Sequence, residues 1–448
     1  MVLNTEQQEA ADKLLEYIHG KTNYDFAVFE GFAGVGKSTT LGKVVGELPG
    51  SLRVGMTAPT HKAVRVLRKN TEVPGLYMFG TIHSFLGLKQ NIRNGKIVYE
   101  NDSMFRQKLK VDSLAVLIVD ESSMLDMQLL KHILDYKKIK PSLKLILTGD
   151  PLQIPPVHEE LSLAFSPKAD EKYNVLRIRL HKIMRQAEGN PILQFATNIR
   201  DNIRGSVHVP TTIDIVDELK VNQLINEMFT PTYKDNPDYC KILAWTNEKV
   251  DKMNALVRNK LLNNPTELIV VDDELVADKP IIIRDDRVIN TNEEMTVTNV
   301  EITHTKIPIL YYEYANHTLD YTDDEYSFKV YKTSVRHYNP VTNAPLQSLI
   351  YIIHPDSMAD LKRHLEILKS IAIRIKNKKC WVEYYRVENI FAQVKYNYAL
   401  TVHKSQGSSY ENCIVMDNDI LKSSNIFERN RIRYVAVTRA KNKLIIVK

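Results

Sequence analysis

One octapeptide limits this chain more than anything else in it. Gly31-Phe32-Ala33-Gly34-Val35-Gly36-Lys37-Ser38 fits G-x-x-x-x-G-K-[ST], between a predicted strand, Phe26-Ala27-Val28-Phe29, and a predicted helix. In that context the glycines let backbone N–H groups curl around phosphate oxygens, and the positive end of the following helix faces the same anion. Lys37 is placed to reach the outer phosphates and the Ser38 hydroxyl to hold Mg2+. The expected phosphate-binding set is Gly31, Ala33, Gly34, Val35, Gly36, Lys37, Ser38 and Thr39.

Such a loop belongs to a parallel α/β sheet, and the rest of the chain agrees. Val116-Leu117-Ile118-Val119 and Leu143-Lys144-Leu145-Ile146-Leu147 are further short apolar runs separated by helical stretches. A second set of the same kind comes late, at Lys241 to Trp245, Asn412 to Met416 and Leu444 to Val447. Between roughly Thr266 and Lys395 the texture changes to Tyr, Thr and Val, with Tyr326, Phe328 and Val330 alternating with polar residues as in a half-buried strand. A helix then fits Leu361, Leu365, Leu368, Ala372 and Ile375, with Ser357 near its start. A smaller insertion lies between Phe85 and Asp112, where Asn94-Gly95 signals a hairpin. At 448 residues more than one domain is expected.

Composition excludes more than it selects. With 44% hydrophobic and 25% charged residues the chain is an ordinary globular one, neither disordered nor collagen-like. Sixty Lys and Arg against 54 Asp and Glu leave +6, which permits an anionic partner without demanding one. Cys240, Cys380 and Cys413 form neither a disulfide framework nor a zinc pattern. The first residues lack the apolar core of a signal peptide, and no apolar run approaches membrane-spanning length, so a cytoplasmic, non-membrane protein is expected.

A phosphate loop that works as a hydrolase needs carboxylates at a neighbouring strand end. Asp120 closes the run Val116 to Val119 and is the expected metal ligand; Glu121 follows and is the expected base for the attacking water. Gln153, in Leu147-Thr148-Gly149-Asp150-Pro151-Leu152-Gln153, is an uncharged amide able to sense a terminal phosphate. Arg185 and Arg439 are candidates for neutralising transition-state charge. Gln7 has two equal readings, recognition of adenine or a capping box with Asn4 three residues earlier.

The ordered set Leu3 to Gln7, GFAGVGKS, TAPTHKA (57–63), TIHSF (81–85), VDESSM (119–124), GDPLQIPPV, LHKIMRQ, ALTVHKSQG (399–407) and YVAVTRA resembles the superfamily-one helicases, in particular their RecD-like, 5′→3′ branch. The segment Tyr321 to Tyr326 favours the phage Dda-type subgroup. The resemblance spans nearly the whole chain in family order. It implies an α/β fold of two RecA-like domains with ATP between them, a small hairpin insertion and a larger β-rich, SH3-like insertion. The implied parts are 1–84 with 113–184, 85–112, 185–265 with 396–448, and 266–395.

By that resemblance Gln7 contacts adenine, Lys37, Ser38, Asp120 and Glu121 do the phosphate and metal work, and Gln153 couples nucleotide to DNA, while Arg185 and Arg439 reach the γ-phosphate from the second domain. Single-stranded DNA is implied to cross Thr60, His61, His83 and Ser84 on one side and Thr401, His403, Lys404, Ser405 and Gln406 on the other. These are short donors interleaved with His and Lys, suited to contacts without a sequence code. Tyr99 is the candidate wedge at the duplex end, with packing of its own hairpin the alternative. The expected partners are single-stranded and forked or tailed DNA, with replication proteins such as a single-strand-binding protein, and the expected state is a monomer. A translocase that displaces bound proteins and a nucleotide-gated DNA-binding switch are the competing functions; Glu121, a base that a switch does not need, counts against the latter.

Overall fold

The computed structural model describes residues 3–71, 77–93, 96–101, 109–156, 159–182, 189–230, 232–233, 236–283, 288–313, 318–339, 344–375 and 378–448. The chain forms two compact units: one comprises Met1–Val221, Asp238–Val250 and Leu400–Lys448, the other Asn222–Pro237 and Asp251–Ala399.

The first unit holds two parallel sheets. In the six-stranded one the order is Tyr77–Thr81, Val54–Ala58, Val116–Val119, Lys144–Gly149, Phe26–Gly31, Val175–Leu180. Phe26 to Phe29, Val116 to Val119 and Leu145 to Leu147 read as unbroken apolar runs, as strands buried on both faces do. Phe26–Gly31 is buried at all six positions. Alternation along it divides two cores: Ala27 and Phe29 pack with Leu14, Val44 and Ile146, while Phe26 and Val28 pack with Phe85, Leu117, Leu130 and Leu147. Gly31, Asp120 and Asp150 therefore emerge side by side at the carboxyl ends of adjacent strands, the edge where open α/β sheets bind ligands.

The second sheet has the order Ala399–Thr401, Cys240–Ala244, Tyr410–Met416, Ala440–Val447, Asp214–Val216. Its three long pairings from Cys240–Ala244 to Asp214–Val216 are parallel. The helix Ile426–Val437, which leads into the last strand, is buried from Asn430 to Val437. In the small insertion Leu88–Arg93 and Lys96–Asn101 pair antiparallel, with Gln90 opposite Tyr99.

The second unit is built on an antiparallel sheet, Pro345–Ile353, Thr318–Tyr338, Glu294–Glu313, Glu274–Ala277, Val394–Tyr396. The predicted helix forms over Pro355–Ile375, and Leu361 and Leu368 pack with Phe328 and Val330. Ser357 accepts the Lys329 N–H at 2.9 Å. Among the described residues no helix is long and apolar enough to cross a membrane.

Candidate nucleotide site and nucleic-acid interface

The loop after Phe26–Gly31 turns through glycines in the left-handed region, Gly34 at φ 81° and Gly36 at φ 84°, conformations that a side chain would strain. Lys37 opens the helix Lys37–Gly46, with Ser38 and Thr39 half-buried in its first turn. The Lys37 ammonium donates to the Gly31 carbonyl and, at 3.3 Å, to that of Phe32. Gln7 is buried and completes a capping box with Asn4: its N–H donates to Asn4 Oδ1 at 2.9 Å, and its Oε1 accepts the Asn4 N–H at 3.1 Å. Its Nε2 also donates to the Val35 carbonyl at 3.0 Å, so the amide ties the first helix to the phosphate loop.

Asp120 sits beyond its strand with Oδ1 accepting the Glu121 N–H at 2.9 Å. Burial, then the neighbouring Glu121 charge, push its carboxyl up to about 7, against the opposing pull of Lys37. Glu121 itself holds φ 51°, a strained setting for a residue with a side chain. Asp150 is also raised by burial, with Lys37 and the Tyr434 hydroxyl pulling it down. The half-buried Asp120 and the buried Asp150 thus share one lysine, and that surplus of negative charge is what a divalent cation would relieve. The hard oxygens of Asp120 and Ser38 suit Mg2+, which takes one or two protein ligands and completes its shell with phosphate and water. Among the described residues no cluster of three or more His, Cys, Asp or Glu could hold a metal unaided, and Mg2+ of this kind needs none. Gln153 is buried beside this group, its N–H on the Asp150 carbonyl at 3.1 Å and its Oε1 without a partner.

The second sheet's elements reach this site. From the helix Ile426–Val437, the Tyr434 hydroxyl donates to Asp150 Oδ2 at 2.6 Å and accepts the Ala33 N–H at 3.0 Å. One helical turn earlier Arg431 donates to the carbonyls of Glu160 at 2.5 Å and Pro151 at 3.0 Å. Arg200 lies 4.8 Å from the Phe32 ring centre, and a cavity of about 370 Å3 opens between Phe32, Pro151, Leu152, His181, Arg200 and Asp201. Arg439 is buried, its guanidinium on the carbonyls of Val435 at 3.1 Å and Ser408 at 2.9 Å and on the Thr438 hydroxyl at 3.1 Å, all within its own sheet's elements. Arg185 lies outside the described residues.

The two polar segments expected on either side of a strand meet face to face. Thr60 caps the helix His61–Asn70, its hydroxyl accepting the Ala63 N–H at 3.2 Å. Gly407, at φ 70°, approaches so closely that a Cβ there would stand 3.0 Å from Ala63 Cβ and 3.7 Å from Thr60 Oγ1. Lys62 donates to the Tyr410 hydroxyl at 3.0 Å, and Gln406 Nε2 to the Ile154 carbonyl at 2.9 Å. His83 and Ser84 lie in the short helix Ile82–Phe85; burial lowers the His83 pKa, with Asp126 opposing and His61 and His132 adding to it, so its ring is neutral at pH 7. Ser84 and Ser405 donate to the carbonyls of Thr81 and Val402, at 2.8 and 2.7 Å. Thr401 Oγ1 accepts the Lys404 N–H at 3.3 Å, and His403 is exposed. The Tyr99 side chain lies outside the described residues.

Tyr434, Arg431, Arg200 and Lys62 are the residues that reading the sequence missed. Arg431 and Tyr434 stand three residues apart on one face of a helix that also carries Glu428, Arg429, Asn430 and Arg433, so nothing in its sequence singles them out.

Comparison with known proteins places this geometry. The AAA domain family matches residues 2–219 and the UvrD-like helicase C-terminal domain matches 396–447. The first covers the phosphate loop and the Asp120 and Asp150 strand ends, the second Gln406, Arg431 and Tyr434. These matches support a superfamily-one helicase of the Pif1/RecD-like kind. The chain is similar to the ATP-dependent DNA helicase Dda of Enterobacteria phage T4, to which it is 25% identical over 98% of both chains. It is 34% identical to the ATP-dependent RecD2 DNA helicase of Deinococcus radiodurans over 43% of this chain and 23% of that one. Among solved structures, Pif1 helicase from Candida albicans superposes with a TM-score of 0.51 at 18% identity, covering all of this chain and 94% of the other, a likeness of fold.

Proposed function

We propose that this chain is an ATP-dependent DNA helicase that translocates along single-stranded DNA, 5′→3′, and separates duplex ahead of it. One observation carries the reading: the phosphate loop and its carboxylates belong to one sheet, and Tyr434, from the other, bonds to both at once. A nucleotide at that junction touches groups on both sides, so its arrival and its hydrolysis shift the balance between closed and open arrangements.

In this reading Lys37 and the loop amides hold the phosphates, Ser38 and Asp120 hold Mg2+, Glu121 orients and deprotonates water, and Gln153 reports the terminal phosphate. Bound there, Mg2+ would neutralise charge developing on the phosphate oxygens. Gln7 contacts adenine while its cap holds it in place, and Arg185 and Arg439 supply positive charge to the transition state, Arg439 after leaving its carbonyl partners. Thr60, His61, His83, Ser84, Thr401, His403, Lys404, Ser405 and Gln406 track the strand, and Tyr99 meets the first base pair. The four-part division into two RecA-like domains, a pin hairpin and an SH3-like insertion accompanies this assignment. The substrates are single-stranded, tailed and forked DNA in replication or recombination, with a single-strand-binding protein as a natural companion. The protein acts as a monomer in the cytoplasm, that of the host if a phage encodes it.

The test is unwinding of duplexes bearing a 5′ or a 3′ single-stranded tail, alongside steady-state ATP hydrolysis with and without single-stranded DNA. The expected result is hydrolysis stimulated by the strand and unwinding only from the 5′ tail. Hydrolysis indifferent to DNA would overturn the motor; unwinding from the 3′ tail alone would overturn the direction.

A further inference from the structure

Three side chains of the second unit stand in a line that the proposed helicase does not use. The His337 ring lies 2.8 Å from Glu293 Oε1 through Nδ1 and 2.9 Å from Ser348 Oγ through Nε2. The other Glu293 oxygen, Oε2, accepts the Asn290 N–H at 3.0 Å and Asn290 Nδ2 at 3.3 Å. That carboxyl is held below its ordinary 4.5, so near neutral pH it is ionised and can only accept. In the neutral imidazole Nδ1 therefore carries the proton, which leaves Nε2 to accept from the Ser348 hydroxyl. Glu293 and His337 are buried, and Ser348 is half-buried. Ser348 belongs to Pro345–Ile353, the last strand of its sheet, with no strand paired beyond it among the described residues. Along such a strand the N–H and C=O of one residue point the same way, and successive residues alternate. The His354 N–H reaches back to the Lys329 carbonyl of the neighbouring strand, whereas the Tyr351 carbonyl accepts the Ala392 N–H from outside the sheet. Leu349, two residues before Tyr351, thus aims its N–H at the open edge, directly after the serine. The N–H that follows a nucleophile is a natural donor to the oxygen of a tetrahedral adduct.

We propose that Ser348, His337 and Glu293 form a second active site, a nucleophilic one that hydrolyses small carboxylic esters. Ser348 Oγ bonds to the ester carbonyl carbon as its proton passes to His337 Nε2, and the carbonyl oxygen takes the Leu349 N–H. The bond to the alcohol oxygen then breaks, and the alcohol leaves with that proton. Water attacks the acyl-serine, giving its proton to the same Nε2, and the serine oxygen departs with it, releasing the carboxylic acid. Glu293 is a positioning residue: it fixes the ring's tautomer and steadies the imidazolium that forms in each half of the cycle. Exposed Leu349 follows the serine and half-buried Leu346 stands opposite His337, so a short apolar acyl group suits the site. All of these residues lie in the second unit, and the activity does not rest on the ATPase reading above.

The experiment is reaction of the full chain with an alkyl fluorophosphonate, in which the serine oxygen bonds to phosphorus and fluoride leaves, followed by mass mapping of the labelled peptide. A single label on Ser348 is expected, formed at least about a hundredfold faster than on the urea-unfolded chain or on His337→Gln, the scale for losing a general base. Ser348→Ala is expected to take no label and to lose the hydrolysis of p-nitrophenyl acetate that the unaltered chain shows. Glu293→Gln is expected to slow labelling and to move the midpoint of its rate against pH downwards, because the imidazolium loses its counter-charge; an unmoved midpoint overturns the positioning role. No label, label scattered over several serines, or label on Ser348 as fast in the unfolded chain overturns the proposal. Label without ester turnover overturns the hydrolysis. If His337→Gln fails to fold, the comparison with the unfolded chain decides alone.

Discussion

Lys37 faces a cluster with more negative charge than it can balance, since the half-buried Asp120 and the buried Asp150 both feel its ammonium. Removing it leaves those carboxylates opposed to the phosphates they are meant to help position. Lys37→Ala is expected to lower ATP hydrolysis at least a hundredfold, the scale for losing one preorganised transition-state donor, while nucleotide-free binding to single-stranded DNA stays within about twofold. Parallel turnover and DNA-binding titrations check this, and residual hydrolysis near the normal rate would contradict the phosphate role. A different residue-scale dependence sits in the second unit. Arg258 bonds Asp273 twice, at 2.6 and 2.9 Å, and Asp273 is fully buried, with the Val270 N–H as a further donor. Arg258→Ala strands that carboxylate, and a loss of about 3 kcal/mol is expected in urea unfolding of the full chain. A loss below about 1 kcal/mol would mean that Asp273 finds another partner or a proton.

At the scale of elements, the acid response of the antiparallel sheet turns on Glu293, just before the strand Glu294–Glu313. Burial alone would raise its pKa, but the hydrogen bond with His337 at 2.8 Å, the Asn290 N–H and the His337 charge outweigh it and hold the carboxyl below its ordinary 4.5. His337 in turn lies 2.9 Å from Ser348 Oγ on the neighbouring strand, so one carboxylate organises three elements. A depressed folded-state pKa means stability that is complete above 4.5 and lost as pH falls through the folded value. Glu293→Gln is therefore expected to be less stable than the unaltered chain near neutral pH, the gap narrowing as pH drops below about 4.5. Unfolding midpoints from pH 7 down to 3 test it, and a gap independent of pH would remove Glu293 from the acid response. Which elements could be read from the sequence follows from the same physics. Strands buried on both faces write themselves as apolar runs, so Phe26–Gly31 and Val116–Val119 were legible. The insertion's alternating strands announced β structure but not their partners, because a period of two fits many registers. The Gln7 cap was legible from its three-residue spacing, whereas its bond to Val35 was not. Tyr434 meeting Asp150 across 284 residues depends on how two sheets pack, and no local pattern encodes that.

For the whole molecule, the proposed motor has to hold a polyanion firmly enough to pull on it with a net charge of only +6. Bulk charge is too small for that, and the proposed grip is by local donors where the Thr60 and Gly407 segments meet, most of them neutral and several already engaged with backbone. Neutral donors release few counterions, so affinity for single-stranded DNA is expected to fall with salt at a shallow slope, roughly −2 to −3 in log–log terms for three or four neutralised phosphates. A slope near zero would assign the grip to base stacking instead. Pulling along a strand becomes unwinding only if something stands at the fork, and the small antiparallel hairpin puts Tyr99 on its second strand, opposite Gln90. If Tyr99 stacks on the terminal base pair, Tyr99→Ala lowers the unwinding rate severalfold while strand-stimulated hydrolysis and displacement of a protein bound to single-stranded DNA persist, because neither requires a base pair to be opened. Equal losses in all three activities would mean that Tyr99 supports the hairpin's own packing. Unwinding that survives the change would leave the fork to another side chain, with the translocation argument standing on the nucleotide site alone.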